Sequence, residues 1–285
     1  MKAPAKARRR PPRLPVAAAL FLAAMLPLAP GLMAGPQVWY DDTRRVMPPL
    51  LAATKDTGVV SAWGTTDNGE TVWDFDVGSD IPLWQTGTSN AFLDVGARFI
   101  VSSRFQFNSE SFNLWGSDFC GGLVFGRKWA SGFAVELFGY HESSHLGDEM
   151  LDLESRQRLD CNVNGVRVLC HGQWPGTLST YGGFSYQGPS QPDAIAGFGV
   201  QLGVQATGLP PFKRGFVAVD AQSWDWRDWS PDVCARMGFT FGVGGNLESR
   251  HVSLFFVQAY SGRVDLWQYW DETETTFSAG LAHHW

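Results

Sequence analysis

Apolar and polar residues alternate along most of the chain, from about residue 57 to its C-terminus. In the segment 91–99 the odd positions are apolar, while the even positions include Asp94 and Arg98. The same two-residue period recurs at 215–222 and 233–241. Because successive side chains of a strand point to opposite faces, this pattern predicts β-strands. An apolar face opposite a polar face is typical of a membrane-spanning barrel, with the apolar side outward.

Eleven segments carry this pattern, and a pairing strand within 160–170 brings the total to the even number that closure requires. The eleven segments are 57–64, 70–78, 90–102, 117–128, 131–143, 176–187, 194–206, 213–224, 232–243, 250–260 and 273–285. Lengths near ten residues suit a tilted strand that crosses a bilayer. The sequence therefore predicts an all-β fold, a transmembrane antiparallel β-barrel of about 10–12 strands over residues 57–285.

Charged residues on the polar face of these strands are expected to point into the lumen. Inside a barrel of this size they are expected to pair and fill the interior, rather than line a substrate channel. These predicted lumen residues are Asp94, Arg98, Glu136, Asp220 and Arg236.

Aromatic residues give the barrel hypothesis two further expectations. Tryptophans at strand ends and in loops are expected to form belts at the membrane surfaces. These are Trp224, Trp226, Trp229, Trp267 and Trp270. The last strand carries Phe277 and Leu281 in phase and ends on Trp285. It resembles the C-terminal signature that the barrel-assembly machinery reads, which implies that machinery as a partner.

The first 34 residues have the layout of a cleaved secretory signal peptide. A basic stretch at the start of the chain extends to Arg13, an apolar run covers 14–28, and a candidate cleavage site follows near Ala34. Removing this segment takes away six basic residues and leaves 16 against 28 acidic ones, a net charge of −12. An acidic surface argues against nucleic-acid binding. Residues 35–56 are expected to form a periplasmic segment before the barrel, which would lie in the outer membrane.

The cysteines suggest one disulfide bond. Cys161 and Cys170 bracket Asn164-Gly165, a dipeptide typical of a tight hairpin turn, and exported chains meet oxidising conditions. We therefore expect a Cys161–Cys170 bond. Cys120 and Cys234 each lie on the face of their strand opposite the apolar face, so both are expected to point into the lumen.

One segment is specific enough to suggest a family. Residues 140–149 read YHESSHLGDE, and bacterial proteins known as domain of unknown function 1207 are similar in carrying a YHxSSHLGDE hallmark. Further stretches resemble that family at 48–52, 94–96, 181–183, 218–222 and 260–262, so the resemblance covers most of the chain. It implies an outer-membrane barrel and no particular reaction.

The hallmark also contains a possible nucleophile and base. His141 and Ser143 lie two residues apart and so share a strand face, continuing the apolar, lipid-facing row. This arrangement resembles the His and Ser of outer-membrane phospholipase A and of lipid A deacylases, which implies acyl transfer with His141 as base and Ser143 as nucleophile. Asp148, Glu149 or Glu142, or a residue of a neighbouring strand, could orient the imidazole. The backbone N–H of Gly147 is a candidate oxyanion donor.

Two other interpretations of the hallmark stay open. The polar side chains could cap a strand and order the following loop. Alternatively His145, Asp148 and Glu149 could bind a divalent cation near lipopolysaccharide phosphates, with His145 and Ser144 as ligand-binding residues. Apart from such a cation, no cofactor is expected.

Three functions follow from the sequence. The first is an outer-membrane barrel without enzymatic activity, structural or a small pore. The second is an outer-membrane lipid acyl hydrolase that uses Ser143 and His141, with membrane lipid and lipopolysaccharide as partners. The third is a soluble periplasmic β-domain that binds a ligand.

Overall fold

The fold is taken from a computed structural model that describes residues 37–38, 45–107, 112–153, 159–209, 213–241 and 251–285. The expected signal peptide, residues 1–34, lies outside the described residues, as does most of the segment 35–44. Among the described residues, every helix is too short or too polar to cross a bilayer.

Strands dominate the described chain. Their bounds are β1 Gln37–Val38, β2 Gly58–Thr66, β3 Thr71–Gly87, β4 Phe92–Phe107, β5 Phe112–Lys128, β6 Ala134–Leu146, β7 Cys161–Gln173, β8 Leu178–Gln187, β9 Gly197–Thr207, β10 Gly215–Trp224, β11 Pro231–Phe241, β12 Val252–Arg263 and β13 Thr273–His284. A short helix, α1, covers Asp148–Leu153. Single 3-10 turns occupy Asp193–Ile195, Asp225–Arg227 and Trp267–Tyr269.

Twelve of these strands close into a barrel. Each of β2 to β13 pairs antiparallel with its neighbour in the chain, and β13 pairs with β2 to complete the ring. The two-residue strand β1 adds to β3. This confirms the predicted antiparallel barrel of 10–12 strands, including the strand expected within 160–170.

The alternation in the sequence separates the two faces of the barrel wall. Outward positions are apolar and exposed, as at Met237 (55%) and Phe277 (66%), while Arg236 (5%) and Thr240 (3%) are buried inside. Soluble monomeric proteins rarely expose a contiguous apolar surface of this extent to water. The fold therefore favours a membrane barrel over a soluble β-domain.

The charged residues on the inner face are paired, as their placement in a narrow lumen requires. Arg98 donates to Glu136 (2.7 Å) and to Asp80 (2.6 Å). Asp220 accepts hydrogen bonds from Tyr181 and Gln201. The remaining predicted lumen residues are also held by polar partners: Asp94 accepts from Gln85, and Arg236 donates to Gln258 and to the Leu51 carbonyl.

Residues 45–57, which include most of the described part of the expected periplasmic segment, lie inside the barrel. Leu51 and Ala52 are almost fully buried in one cluster with inward residues of β2, β10, β11, β12 and β13. The backbone N–H of Leu51 donates to Gln205 Oε1 (3.1 Å), so the segment is bonded to the wall as well as packed against it. The N-terminal segment thus fills lumen space that the sequence pattern alone assigned to side chains of the wall.

Lys55 lies near the end of this internal segment and bonds it to two strands. Its Nζ donates to Asp118 on β5 (2.7 Å) and to Glu142 on β6 (2.8 Å). Burial by itself would lower the pKa of Lys55, but the two carboxylates raise that pKa well above its ordinary value. Lys55 is therefore a fixed positive charge that neutralises the two buried acids.

Most of the tryptophans expected in membrane belts point elsewhere. Trp226 packs against Trp224, Trp267 and Trp270 with ring centroids 6.0–6.4 Å apart, in a cluster at the lumen mouth that also includes Ile195 and Val163. That expectation is wrong for these four residues, because Trp224 at the end of β10 points inward and the loops that carry the other three fold inward over the barrel end. Trp229 is exposed (51%).

The expected Cys161–Cys170 disulfide is also wrong. Both cysteines are free, and both lie on β7. Nine residues of extended strand separate them by about 30 Å, and the odd spacing puts them on opposite faces. Asn164-Gly165 is not a turn but the middle of this strand, where Gly165 leaves room for the Tyr140 ring.

Cys120 and Cys234 do lie on the inner face, as the alternation predicts, and both are free. We therefore expect all four cysteines of the purified protein to react with iodoacetamide after denaturation without reductant. Mass spectrometry of the peptides tests this expectation, and a Cys161–Cys170 crosslink in exported protein would contradict the strand assignment of β7.

Candidate functional site

A group of polar side chains interrupts the apolar outer surface where β5, β6 and β7 lie side by side. His141 and His145 of β6 are exposed, and Ser143 between them is half-buried. Their neighbours on β5 and β7 include Phe119 and Leu123, which are exposed apolar residues (45% and 53%). Histidine and serine therefore face outward from the barrel, on the face that the alternation predicts.

Strand register brings an asparagine of β7 against the histidine. His141 is directly opposite Asn164, and the imidazole Nδ1 lies 2.9 Å from the amide Oδ1. The amide nitrogen of Asn164 donates to the backbone carbonyl of Pro189 (2.9 Å), in the loop after β8. Since a carbonyl only accepts, the amide must turn its NH2 toward Pro189 and its oxygen toward the imidazole.

This orientation fixes the tautomer of His141. An amide oxygen is an acceptor, so the imidazole must donate from Nδ1 to Asn164. Nε2 then carries the lone pair and can accept a proton. His141 is therefore oriented as a general base in the same way that the third member of a catalytic triad orients its histidine.

Ser143 carries the hydroxyl nearest to this base on the same face of the strand. It lies two residues beyond His141 on the same face, and it pairs across the sheet with Phe119 on one side and Asn162 on the other. Within the described residues, its hydroxyl makes no hydrogen bond with His141, so the expected direct approach is not formed here. In proteins without bound substrate, catalytic hydrogen bonds are often long or poorly aligned, and they tighten only when substrate binds.

The strand that carries these residues is braced from inside the barrel. Glu142, between His141 and Ser143, is held by Lys55, and the Ser144 carbonyl accepts from Gln268 (2.9 Å) in the β12–β13 loop. Gln268 is fully buried and also bonds to Leu159. The backbone beneath the outward-facing residues is therefore rigidly supported.

Several hallmark residues are placed differently from the expectation. Glu142 points into the lumen, on the opposite face from His141, so it is not the group that orients the imidazole. Asp148 and Glu149 are exposed in the first turn of α1, and Ser144 is buried on the inner side. The Gly147 N–H donates to the Trp115 carbonyl (2.9 Å), so it is not available as an oxyanion donor.

The cation interpretation gains no support from the arrangement of the hallmark. His145 lies on the outer face with the Phe119 ring edge-on to it at 5.6 Å, while Asp148 and Glu149 belong to the following helix. In the described part of the chain, no three side chains of the metal-binding types gather in a group that could hold an ion.

Sequence reasoning missed Asn164 because its dipeptide with Gly165 was interpreted as a turn. The available signal was periodicity: Asn162 and Asn164 are two residues apart and alternate with Cys161, Val163 and Gly165. Once 161–173 is taken as a strand, two asparagines fall on the lipid-facing side, where polar residues are costly and point to function.

Comparison with known proteins places the chain in one family and one fold. The model of a family described as "Protein of unknown function (DUF1207)" matches residues 44–285. No curated protein matches the chain by sequence.

Among solved structures, outer membrane phospholipase A from Escherichia coli is similar with a TM-score of 0.57 and 16% identity, covering 81% of this chain and 98% of that one. The Salmonella typhi outer membrane phospholipase, described as a dimer with bound calcium, has a TM-score of 0.58 and 16% identity over 85% of this chain and 95% of that one. A third structure, with a TM-score of 0.57 and 15% identity over 90% and 98% of the two chains, is the Escherichia coli protein with an active-site asparagine replaced by alanine. At these identities the likeness establishes the outer-membrane type of barrel fold.

Proposed function

The chain belongs to the DUF1207 family, and we propose that it is an outer-membrane serine hydrolase that cleaves an acyl ester of a membrane lipid. The observation that carries this proposal is the hydrogen bond between His141 Nδ1 and Asn164 Oδ1 (2.9 Å), with Ser143 on the same outward face. Serine, histidine and an orienting third group are the three parts of a nucleophilic triad. An active-site asparagine in a phospholipase barrel, as named for the Escherichia coli protein, is in keeping with Asn164 as the third member.

In this mechanism each residue has one role. The Ser143 oxygen attacks the ester carbonyl carbon, and its proton passes to Nε2 of His141. The ester C–O bond breaks, and the imidazolium returns the proton to the departing alkoxide, which leaves as an alcohol. A water molecule then attacks the acyl-serine with the same base, which releases the fatty acid and restores the hydroxyl of Ser143.

The surroundings of the site select the class of substrate. Ser143 lies on the outer surface among exposed apolar side chains such as Phe119 and Val166 (45% each). An apolar outer surface does not concentrate a water-soluble ester, whereas a lipid in the bilayer contacts that surface directly. The substrate is therefore a lipid acyl ester, either of a phospholipid or of lipopolysaccharide.

The direction of β6 indicates the leaflet. Strand β2 begins at Gly58 and β13 ends at His284 at the same end of the barrel, and β6 runs away from that end, so Ser143 lies near the opposite one. The longest connection between neighbouring barrel strands, residues 147–160, leaves β6 and enters β7 at that opposite end, and long loops are extracellular in outer-membrane barrels. On this basis the site faces the outer leaflet.

This proposal includes the biogenesis that the sequence suggests. Residues 1–34 act as a cleaved signal peptide, and the barrel is inserted by the barrel-assembly machinery through β13. The described segment 45–57 stays inside the barrel after insertion, so the lumen is closed rather than a pore.

The direct test is fatty-acid release by refolded protein from phospholipid and from lipopolysaccharide in mixed micelles. Wild-type protein is expected to release fatty acid. Asn164→Ala is expected to lower the rate on the order of 10²-fold, because an unoriented imidazole is a poorer base.

The matched control is Asn90→Ala, which makes the same change at an exposed loop position far along the chain from the site, and it should keep the wild-type rate. Release from one of the two lipids alone would identify the substrate. Heat-modifiable gel mobility shows that the purified protein is a folded barrel. If such folded protein releases no fatty acid from either lipid, the proposal is contradicted.

A further inference from the structure

An ester hydrolase needs a hydrogen-bond donor for the negative oxygen that forms when the serine attacks. The donor suggested by the sequence, the Gly147 N–H, is already bonded to the Trp115 carbonyl. The strand backbone on either side of Ser143 is likewise committed to pairing with β5 and β7. Because these backbone groups are committed, a side chain that reaches the outward face beside Ser143 is the donor that the protein itself can offer.

Asn162 occupies that position. It is the β7 residue directly opposite Ser143, and it points outward because its neighbours Cys161 and Val163 are buried on the inner side. The pair Ser143–Asn162 is two residues along β6 and β7 from the pair His141–Asn164, on the same face of the sheet. The two pairs thus have the same backbone relation, with Cβ atoms about 4.5–5.5 Å apart.

The amide of Asn162 is held in place. Its Nδ2 donates to Gln191 Oε1 (3.1 Å), and the backbones of Asn162 and Gln191 exchange two hydrogen bonds of 2.8 and 3.0 Å. An asparagine amide has two N–H bonds, and this contact uses one. The second N–H remains available to a substrate oxygen near Ser143.

We propose that Asn162 is a catalytic residue, the donor that stabilises the oxyanion of the tetrahedral intermediate at Ser143. This inference rests on the proposed function, and it adds a fourth residue to the Ser143–His141–Asn164 group. A carbonyl carbon bonded to the Ser143 oxygen puts its own oxygen within reach of a side chain on the adjacent strand. The two asparagines then have different roles: Asn164 orients the His141 imidazole, and Asn162 donates a hydrogen bond to the oxyanion of the intermediate.

The experiment compares Asn162→Ala, the isosteric Asn162→Asp and Asn164→Ala on a lipid ester and on the matching thionoester, whose sulfur is a weak acceptor. Losing one oxyanion donor is expected to lower kcat by about 10²–10³-fold with little change in KM. Because the lost contact is made to the oxyanion, both Asn162 variants should also lose most of the preference for ester over thionoester. Asn164→Ala should slow both substrates equally.

His145 is the competing donor, because it lies two residues beyond Ser143 on the same face. The inference is overturned if folded Asn162 variants keep kcat within about threefold of wild type, or if His145→Ala rather than Asn162→Ala removes the ester preference. These results require an active wild-type enzyme. Wild-type protein without esterase activity would instead overturn the proposed function, and this inference with it.

Discussion

Ser143→Ala is expected to lower the rate of lipid-ester hydrolysis by a factor of about 10⁵–10⁶, the largest effect of any single substitution. Removing the nucleophile of a catalytic triad costs about as much as removing the whole triad, since the remaining groups have nothing to activate. Folding should be unaffected, because the Ser143 side chain is at the outer surface and makes no hydrogen bond within the described residues. Fatty-acid release under initial-rate conditions measures the effect.

The matched control is Ser103→Ala, which removes a hydroxyl from the same outer surface on β4. Ser103 shares a hydrogen bond with Ser117 (2.8 Å) and has no role in the proposed chemistry. It should retain the wild-type rate. If Ser143→Ala keeps more than a tenth of that rate while folded, Ser143 is not the nucleophile.

Lys55→Met is expected to destabilise the barrel by about 3–5 kcal/mol, the largest effect on folding. The substitution leaves the carboxylates of Asp118 and Glu142 buried without their shared cation, and an uncompensated buried charge is costly. The free energy of unfolding in urea, measured in detergent or lipid, tests this. The control Lys213→Met removes an exposed loop lysine and should change stability by less than about 0.5 kcal/mol.

The same substitution also tests where the N-terminal segment lies. If residues 45–57 were a free periplasmic segment, Lys55→Met and Lys213→Met would behave alike. A large difference between the two variants is expected only when Lys55 is inside the lumen.

The fold followed from the sequence because a barrel wall is a repetitive structure. Alternation at segments such as 91–99 and 233–241 reports directly which side chains face lipid and which face the lumen. Local periodicity was therefore enough to predict a closed antiparallel barrel of about 10–12 strands and the inward positions of Arg98 and Glu136.

The contents of the lumen could not be predicted in the same way. Segment 45–57 has no strand period, and its place inside the barrel depends on long-range bonds such as Leu51–Gln205 and Lys55–Asp118. The inward fold of Trp226 and Trp267 depends equally on loop conformation. Such contacts join residues far apart in sequence, where no local pattern reports them.

The sequence predicts two residues of the candidate site and misses the other two. His141 and Ser143 are on one strand, so their spacing alone places them on one face. Asn162 and Asn164 belong to the next strand, and finding them required the register between β6 and β7. A local turn signal at Asn164-Gly165 outweighed the weaker alternation around it and concealed that register.

The most direct measurement of the central claim is covalent labelling with a lipid-like fluorophosphonate, which reacts with activated serines through the same attack. Peptide mass spectrometry of the folded, labelled protein then identifies the modified residue. We expect one label, on Ser143, with labelling lost in His141→Ala and slowed in Asn164→Ala. Folded wild-type protein that takes no label, or a label on another serine, would contradict a hydrolase built on Ser143, His141 and Asn164.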